Sequence, residues 1–396
     1  MKNDNLLRMI ARTLTQALLE ALQYQPAVVL LGARQVGKTT LAQQLLTTHK
    51  ALYVDLEDYI ERAGVMQNPK LFCEQHKDEL IIFDEIQNTP DLFPVLRGII
   101  DQRRREGREA GQFLLLGSAS LELVKQAGER LAGRVAYLDM TPLHALEVGK
   151  ANVETLWTRG GFPQSYLSAS DEESFRKRKY LIRSYLEKDI PFFDRSVPQE
   201  TMQRLWLMLA HLQGQPFNAS QIAENLGLDY RKVIAYTDLL VDLMLVRRLQ
   251  PFHANIGKRL VKTPFLYIRD SGLLHALLTI QHWDTLITHP IAGASWEGFV
   301  IENLLAVAPE GVIPFFYRTS AGAEIDLILL FPDQSKLAME IKRNPRPKLS
   351  KGFYISQQDL QPQHSYVVTP EEKVFPLDEH TTQIGLYGLM QRLQAM

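Results

Sequence analysis

Between residues 27 and 138, short apolar runs alternate with stretches in which apolar positions recur at helical spacing. Short apolar runs bounded by turn residues are typical of buried strands, and strands that alternate with helices favour a mainly parallel sheet covered by helices on both faces. The chain start, MKNDNLLRMIARTLTQALLEAL, predicts an amphipathic helix, because it has helical spacing without the continuous apolar core of a signal peptide. We predict five strands, near residues 27–31, 51–55, 80–84, 113–117 and 134–138.

Farther along the chain, the pattern predicts two short helices followed by a strand pair. Asn218 can cap a helix that ends at Gly227, and Asp229 can cap the next one. The runs VRRLQPF and TPFLYI then predict the two strands of a wing. This order is that of a winged helix-turn-helix. The second helix, which carries Arg231 and Lys232, either contacts a DNA major groove or belongs to a protein–protein spacer.

Composition narrows the class of protein. The 396 residues are 45% hydrophobic and 22% charged, as in a globular protein, and no apolar run approaches the roughly 20 residues that span a bilayer. Cys73 is the only cysteine, which excludes a disulfide framework and a cysteine-based zinc site and favours a cytoplasmic location. The net charge of −1 is uneven, because residues 151–280 carry 17 basic and 13 acidic residues. That segment is the favoured one for phosphate contacts.

A phosphate-binding motif follows the first apolar run. The run AVVLL ends at GARQVGKT, which matches G-x-x-x-x-G-K-[ST] and leads into helical sequence. Backbone N–H groups of such a loop cradle phosphates, Lys38 reaches the β- and γ-phosphates, and the Thr39 hydroxyl binds Mg²⁺. We therefore predict that the chain binds ATP with Mg²⁺. The predicted nucleotide-binding residues are Gly32, Ala33, Arg34, Gln35, Val36, Gly37, Lys38, Thr39 and Thr40.

Polar residues at the ends of later strands complete a predicted hydrolysis site. Asp84 follows the run LIIF and fits a Mg²⁺-associated carboxylate, and Glu85 is placed to polarise an attacking water. Ser118 follows FLLLG and either contacts the γ-phosphate or caps a helix. Arg130 and Arg134 either stabilise transition-state charge, in the same chain or from a neighbouring subunit of a homo-oligomer, or are structural.

The C-terminal segment concentrates acidic residues and a lysine on two neighbouring strands. Period-two alternation puts Glu324 and Asp326 on one face of AEIDLILL, and Glu340 and Lys342 on one face of KLAMEIKRN. A paired hairpin brings them together, with Glu297 arriving from the helix SWEGFVIENLLAVA. We predict a Mg²⁺ site formed by Glu297, Asp326 and Glu340, where Lys342 orients an attacking water or stabilises charge. The alternative is a solvent-facing strand on which Glu and Lys alternate with Ile.

Taken together, these motifs resemble a known family along nearly the whole chain. GARQVGKTT, FDEIQ, LLLGSAS, LAGRV, LWTRGGFP, SYLEKDI, KTPFLYIRDSGLL, SWEGFVIENL and AEIDLIL…MEIKR are similar to stretches of bacterial and archaeal AAA-like ATPases that end in a domain of unknown function related to PD-(D/E)XK nucleases. The resemblance implies an α/β AAA-type P-loop ATPase domain with a parallel sheet over 1–145, a helical and winged-helix region over 146–280, and a PD-(D/E)XK nuclease-like α/β domain over 281–396.

The resemblance also assigns roles. It implies that Asp84 and Glu85 form the Walker B motif and that Ser118 is sensor 1. Two positions depart from the family pattern: Phe265 replaces the usual lysine of KTPK, which argues against a basic wing, and Ser118 replaces the commoner asparagine.

Two functions fit the sequence. One is an ATPase coupled to nucleic-acid binding or metal-dependent cleavage, and the other is a non-cleaving ATP-driven switch whose C-terminal domain binds a protein partner. A metabolite kinase would need a second small-substrate pocket, for which the sequence carries no signal.

Overall fold

The computed structural model describes residues 10–117, 131–253 and 259–396. The chain forms two compact units. The first contains the described residues up to 143 together with 242–244, and the second contains residues 144–241 and those from 245 onward.

The first unit is built on a five-stranded, all-parallel sheet with the order β2-β3-β4-β1-β5. Strands β1, β3 and β4 are buried along their whole length, which accounts for their continuous apolar sequences. The predicted alternation is confirmed, although the last strand begins one residue later than predicted. The strands are β1 Ala27–Leu31, β2 Ala51–Asp55, β3 Leu80–Asp84, β4 Phe113–Gly117 and β5 Val135–Asp139.

Helices connect these strands. The predicted N-terminal amphipathic helix begins, within the described residues, at Leu14, and buries Leu18 and Leu22. The basic run at the end of the helix after β3 is not wholly solvated, because Arg103 is buried and donates to the carbonyl oxygen of Cys73. The helices are Leu14–Tyr24, Lys38–Thr48, Tyr59–Gln67, Pro69–Gln75 and Leu92–Arg105, with a 3₁₀ turn at Ile86–Asn88.

The second unit is built on a mixed sheet, in which nine described strands run in the order β13-β14-β12-β11-β10-β9-β7-β8-β6. The parallel pairing of β7 with β9 joins the predicted middle and C-terminal segments into one sheet. The division into three domains at residues 145 and 280 stays a prediction. The strands are β6 Gln215–Pro216, β7 Val246–Pro251, β8 Phe265–Ile268, β9 Ile313–Arg318, β10 Glu324–Leu330, β11 Lys336–Ile341, β12 His364–Thr369, β13 Phe375–Pro376 and β14 Thr381–Gly385.

The helices of the second unit include the two short ones predicted from their caps. Asn218 accepts a hydrogen bond from the Gln221 backbone N–H, and Gly227 ends that helix in the left-handed conformation, as predicted. The helices and helical turns that begin in this unit are Ala145–Val148, Lys150–Asn152, Val153–Arg159, Pro163–Tyr166, Asp171–Ser184, the π-helical Tyr185–Asp189, Ile190–Phe193, Gln199–His211, Ala219–Leu226, Tyr230–Asp242, Ser271–Leu277, Trp283–Thr288, Ala292–Leu305, Lys351–Leu360 and Leu386–Gln394.

The run of basic residues at 176–179 is not solvated throughout. Arg178 is fully buried and donates hydrogen bonds to the carbonyl oxygens of Thr158 and Gly272, at 3.2 and 3.0 Å. Burial lowers the pKa of this guanidinium to about 10. The buried carbonyls at two neighbouring helices, rather than solvent, receive its hydrogen bonds.

Two buried polar arrangements fix the helix Ala292–Leu305, which carries Glu297. Glu302 receives hydrogen bonds from Arg247 of β7 and from Arg269, which follows β8. Burial alone would raise the pKa of Glu302, but the two guanidinium groups outweigh it and the net shift is downward. Two turns away along the same face of the helix, Ser295 forms the second arrangement.

Ser295 lies in a buried chain of hydrogen bonds. The Trp157 indole donates to the Ser295 hydroxyl at 3.0 Å, and this hydroxyl lies 2.7 Å from Nε2 of His275. Nδ1 of His275 lies 3.0 Å from the carbonyl oxygen of Thr158, which can only accept. Nδ1 therefore carries a proton, and in the neutral imidazole Nε2 accepts the hydrogen bond of the Ser295 hydroxyl.

This neutral histidine predicts a pH-dependent stability. Burial lowers the pKa of His275 to about 3, from the ordinary histidine value of about 6.5, so the unfolded chain takes up a proton as the pH falls through about 6.5 while the folded unit does not. Between pH 7.5 and 5.5, His275 should lower the free energy of unfolding by about 1.4 kcal/mol. All four tryptophans, Trp157, Trp206, Trp283 and Trp296, lie in the second unit, so urea unfolding followed by tryptophan fluorescence measures this unit.

The comparison is between wild type, His275→Gln and His211→Gln. His211 is exposed, so its variant should keep the wild-type dependence of stability on pH. The His275→Gln protein should be less stable at pH 7.5 but lose about 1.4 kcal/mol less on acidification. Identical pH dependences for all three proteins would contradict the assignment of a neutral, buried imidazole.

Candidate nucleotide site and carboxylate–lysine cluster

The loop between β1 and the helix Lys38–Thr48 has a backbone that its glycines make possible. Gly37 has φ 107°, in the left-handed region that favours glycine, and Gln35 has φ 65°. A Cβ on Gly32 would lie 2.5 Å from the carbonyl oxygen of Met140, closer than atoms pack. The two glycines of the motif are therefore needed for different reasons: one for conformation and the other for close approach.

Lys38 is folded back along this loop. It is only 5% exposed, and its ammonium donates to the carbonyl oxygens of Gly32 and Ala33 at 2.8 and 3.0 Å. The ammonium therefore lies at the loop that the motif assigns to phosphate. Arg34, also in the loop, lies 3.6 Å from the exposed carboxylate of Glu57.

Thr39 and Asp84, predicted from separate motifs, meet in the structure. The Thr39 hydroxyl donates to Asp84 Oδ2 at 2.6 Å, across 45 positions of sequence. Asp84 is 3% exposed, and its other oxygen accepts the backbone N–H of Glu85 at 2.9 Å. The sheet explains the meeting, because β1 and β3 are parallel and both end at the same edge.

Tyr53 is a residue of this site that the sequence did not reveal. Its hydroxyl donates to Asp84 Oδ2 at 2.7 Å, so one carboxylate oxygen receives two hydroxyl groups. Burial raises the pKa of Tyr53, and the hydrogen bond to Asp84 raises it further. The only signal available was the parallel register of β2 and β3, which sets Asp55 beside Asp84.

Arg12 is a second residue that the sequence did not reveal. Its guanidinium donates to the carbonyl oxygen of Val36 in the loop at 2.8 Å and to that of Thr141 at 2.6 Å. Thr141 lies 129 positions away, just after β5. The arginine therefore braces the phosphate loop against the end of the last strand of the sheet.

The remaining predicted residues of this unit are placed as follows. Glu85 has a left-handed backbone, with φ 52°, and its carboxylate accepts a hydrogen bond from the Gln87 side chain. Arg134 makes two parallel hydrogen bonds to Asp101, at 2.7 and 3.0 Å. Ser118 and Arg130 lie outside the described residues. The roles of Arg134, Ser118 and Arg130 in hydrolysis stay predictions.

In the second unit, Asp326, Glu340 and Lys342 are brought together by the hairpin of β10 and β11, and we call them, with Glu297, the carboxylate–lysine cluster. The Lys342 ammonium lies 2.7 Å from Glu340 Oε1 and 3.9 Å from Asp326 Oδ2. Asp326 also accepts the backbone N–H of Ile341 at 2.7 Å. The two strands are antiparallel, and continuing their register sets Asp326 opposite Glu340.

Burial dominates the electrostatics of the cluster. It raises the pKa of Glu297 to about 8 and that of Glu340 to about 8, and in both cases the charge of Asp326 adds to the effect. Burial also raises the pKa of Asp326, against the lowering effect of Lys342. Burial would lower the pKa of Lys342, but Asp326 and Glu340 outweigh it, so that the net shift is upward. The cluster therefore favours the approach of positive charge.

Tyr267 of β8 ties Glu297 to the strand pair that precedes it. Its hydroxyl donates to Glu297 Oε1 at 2.5 Å. Burial raises the pKa of Tyr267, and the charge of Glu297 raises it further. Nothing in the run TPFLYI distinguished this tyrosine from an ordinary strand residue, so the sequence did not point to it.

The predicted metal set fits a cation only in part. Glu340 Oε2 is buried and has no hydrogen-bond partner within the described ranges, and the donors are carboxylates, the ligands that Mg²⁺ prefers. Across residues 10–117, 131–253 and 259–396, however, no three side chains of His, Cys, Asp or Glu are arranged to hold a metal ion. The structure thus pairs two carboxylates with a lysine and leaves Glu297 on Tyr267.

Comparison with known proteins shows which domain families and which proteins the chain is similar to. Residues 24–149 match the AAA domain family, residues 150–284 match "Domain of unknown function (DUF8612)" and residues 292–389 match "Domain of unknown function (DUF4143)". Uncharacterised proteins of Mycobacterium tuberculosis and Mycobacterium bovis are each 39% identical over 359 residues, 91% of this chain and 80% of theirs. The chain belongs to the family of these mycobacterial proteins.

The matched domains follow one another along the chain: an AAA domain with a P-loop and a parallel sheet comes first, and two domains of unknown function follow it. The strands of the mixed sheet lie in these two later domains. Similarity to solved structures is weaker. The Aeropyrum pernix ORC1 protein in complex with DNA is 15% identical over 67% of this chain and 90% of its own, with a TM-score of 0.31. A Thermotoga maritima RuvB variant is 15% identical over 60% and 90%, with a TM-score of 0.28. Among the described helices, none has both the length and the hydropathy for a membrane span.

Proposed function

We propose that this chain is an ATP hydrolase that uses Mg²⁺, and that its second unit engages nucleic acid and cuts it at the carboxylate–lysine cluster. The observation that carries the proposal is the 2.6 Å hydrogen bond from the Thr39 hydroxyl to Asp84, beside a buried lysine of the phosphate loop. A hydroxyl and a carboxylate from two strand ends are the protein ligands that P-loop sites use around Mg²⁺.

In the nucleotide site, each residue has a separate task. Loop N–H groups and the start of the helix Lys38–Thr48 hold the phosphates, and Lys38 exchanges the carbonyl oxygens of the loop for the β- and γ-phosphates. Thr39 and Asp84 would hold Mg²⁺, which when bound neutralises charge on the phosphate oxygens. Glu85 orients the attacking water, and Gln87 fixes the carboxylate of Glu85.

The predicted roles of three further residues extend this proposal. Ser118 contacts the γ-phosphate or the water. Arg130 and Arg134 supply positive charge to the transition state, from the same chain or from a neighbouring copy in a homo-oligomer. In the structure Asp101 occupies the guanidinium of Arg134, so that role requires the release of the ion pair.

The second unit supports nucleic-acid chemistry through two features. Asp326 and Glu340 are buried carboxylates that would hold a divalent cation, as in PD-(D/E)XK nucleases, with Lys342 orienting an attacking water or stabilising charge. The helices Ala219–Leu226 and Tyr230–Asp242, followed by β7 and β8, have the element order of a winged helix-turn-helix, and Arg231 and Lys232 on the second helix are exposed to a phosphate backbone.

A second candidate function is favoured by the state of the cluster. The Lys342 ammonium already lies 2.7 Å from Glu340 Oε1, and no set of three metal-binding side chains is assembled within the described residues. Under this alternative, ATP drives a conformational change, and the second unit binds a protein partner without cleavage.

The test is an assay of the purified full chain with ATP and with single- and double-stranded DNA, in Mg²⁺, Mn²⁺ or EDTA. We expect ATP turnover that requires Mg²⁺ and that Lys38→Ala reduces by at least about 100-fold, since the variant lacks the phosphate-binding ammonium. Cleavage should require a divalent cation. If cleavage does not depend on ATP binding or hydrolysis, the Lys38→Ala variant should still cut DNA. A chain that neither binds nor turns over ATP would refute the proposal.

A further inference from the structure

The second unit contains a cavity of about 680 Å³ that takes no part in either proposed reaction. This volume lies within the range of small-molecule binding sites. Three of the four tryptophans of the chain line it, together with prolines and with two basic residues. The lining residues that matter here are Lys150, Trp157, Trp283, Trp296, Arg343 and Pro345.

The tryptophans form a rigid aromatic wall. The ring of Trp157 lies 5.5 Å from that of Trp283 and 5.2 Å from that of Trp296, in edge-to-face arrangements. Trp157 and Trp296 are each 3% exposed, whereas Trp283 is half-buried and open to a ligand. Flat aromatic surfaces of this kind suit a planar ring, such as a nucleobase, which stacks on them without regard to sequence.

One tryptophan also leaves a hydrogen bond unmade. The indole N–H of Trp157 is used by Ser295, but that of Trp296 is buried without a partner in the part of the chain that the structure describes. A buried donor without an acceptor is unfavourable. Because this N–H is itself buried, a carbonyl oxygen or unprotonated nitrogen of a nucleobase would reach it only if the Trp296 side chain moved.

Two exposed cations at the cavity can contact an anionic group. Lys150 and Arg343 are exposed and have no ion pair with a described carboxylate, while Arg343 donates to the carbonyl oxygen of Ile287 at 3.0 Å. Of the two acids that line the cavity, Glu372 is occupied, because its carboxylate oxygens accept the backbone N–H groups of Tyr387 and Gly388. Glu154 and Glu372 both keep their negative charge, so the lining is neutral overall, and an anionic group would bind through direct contact with Lys150 and Arg343.

The position of the cavity relates it to the carboxylate–lysine cluster. Arg343 follows Lys342 directly, so their Cα atoms are about 3.8 Å apart. Lys342 directly follows β11, and Arg343 lies in the bend after it. A strand of nucleic acid whose phosphate lies at Lys342 would therefore have a neighbouring nucleotide within reach of the cavity.

We infer that this cavity takes one unstacked base of a single-stranded nucleic acid, stacked on Trp283, with the adjacent phosphate at Arg343 and Lys150. The inference rests on the proposed function, since it assumes that the second unit engages nucleic acid. It adds the requirement that the substrate present an unpaired base next to the reacting phosphate. A free nucleotide has the same chemistry, and the experiment separates the two sources.

The experiment measures the affinity of the full chain in EDTA, where cleavage is absent, for a labelled 12-nucleotide DNA strand, for the same strand with abasic sites and for thymidine monophosphate. Wild type should bind the intact strand about 5- to 100-fold more tightly than the abasic strand, which is the effect of one stacked base. Trp283→Ala should abolish this preference and Trp283→Phe should keep part of it. Phe192→Ala, which removes an exposed aromatic ring that does not line the cavity, should leave it unchanged.

Other outcomes overturn the inference. If Trp283→Ala keeps the preference for the intact strand while Asp326→Asn abolishes cleavage, the cavity does not hold a base and the proposed function stands. If no strand binds or is cut, both fail together. Thymidine monophosphate binding as tightly as the strand would overturn the assignment to a nucleic-acid strand and give the cavity to free nucleotides.

Discussion

Asp84→Asn should reduce ATP turnover by at least about 100-fold while the first unit stays folded. The amide oxygen of asparagine can still accept the hydroxyl groups of Thr39 and Tyr53, which reach Asp84 Oδ2 at 2.6 and 2.7 Å, so the side chain keeps its place and loses only the hydrogen bond from the Glu85 backbone N–H. What is lost is the negative charge that would hold Mg²⁺ against the phosphates. Removal of one group that stabilises a transition state typically costs about 10²–10³ in rate.

Two further variants provide the comparison for Asp84→Asn. Asp58→Asn changes an exposed carboxylate that caps a helix in the same unit, and asparagine caps helices equally well, so turnover should stay within about twofold. Tyr53→Phe removes one hydrogen bond from Asp84 and should slow turnover by only about 2- to 10-fold. The measurement is phosphate release at saturating ATP and Mg²⁺, with folding checked by circular dichroism. Turnover by Asp84→Asn at the wild-type rate would remove Asp84 from the metal site.

The nucleotide site could be predicted because its signals are local. A fully buried parallel strand produces a continuous apolar run, and the polar residue at its end falls at the ligand-binding edge of the sheet. Thr39 and Asp84 therefore met as expected. Tyr53 and Arg12 could not be predicted, because their partners lie 31, 24 and 129 positions away and nothing in their own neighbourhoods indicates them.

The second unit was harder to predict because its sheet is assembled from distant segments. Strands β7 and β9 pair through residues such as Gln250 and Phe315, and no local pattern announces that contact. The burial of individual residues in basic runs could not be predicted for a related reason. Arg103 and Arg178 occur among other basic residues, and whether an arginine faces water or buried carbonyl groups depends on which helix packs against it. Helical periodicity does not contain that information.

The sequence predicted which residues form the carboxylate–lysine cluster, but it did not predict how they are arranged. Period-two alternation and the hairpin were enough to bring Asp326, Glu340 and Lys342 together. The position of Glu297 depends on Tyr267 in β8, a strand of the preceding segment. The sequence alone therefore suggested a three-carboxylate metal site, whereas the structure shows two carboxylates sharing a lysine.

Asp326→Asn should abolish metal-dependent DNA cleavage, lowering it by at least about 100-fold, and leave ATP turnover within about twofold. The amide oxygen can keep the hydrogen bond from the Ile341 backbone, so the hairpin should survive, but the charge that would hold a divalent cation is gone. Burial raises the pKa of Asp326, so the carboxylate is already costly to ionise, and a neutral side chain of the same shape should not destabilise the fold. Cleavage is measured on single- and double-stranded DNA in Mg²⁺ and in Mn²⁺.

Asp333→Asn is the matched control for Asp326→Asn. Asp333 lies in the exposed turn that follows the same strand, and its carboxylate accepts hydrogen bonds only from Ser335 among the described contacts, a role that asparagine can fill. Cleavage by this variant should equal that of wild type. If wild type turns over ATP but cuts neither form of DNA in either metal, the lysine that sits 2.7 Å from Glu340 is a permanent counter-ion rather than a group awaiting a substrate. The second unit would then be a binding module, in which Lys342 balances the buried carboxylates instead of acting on a substrate.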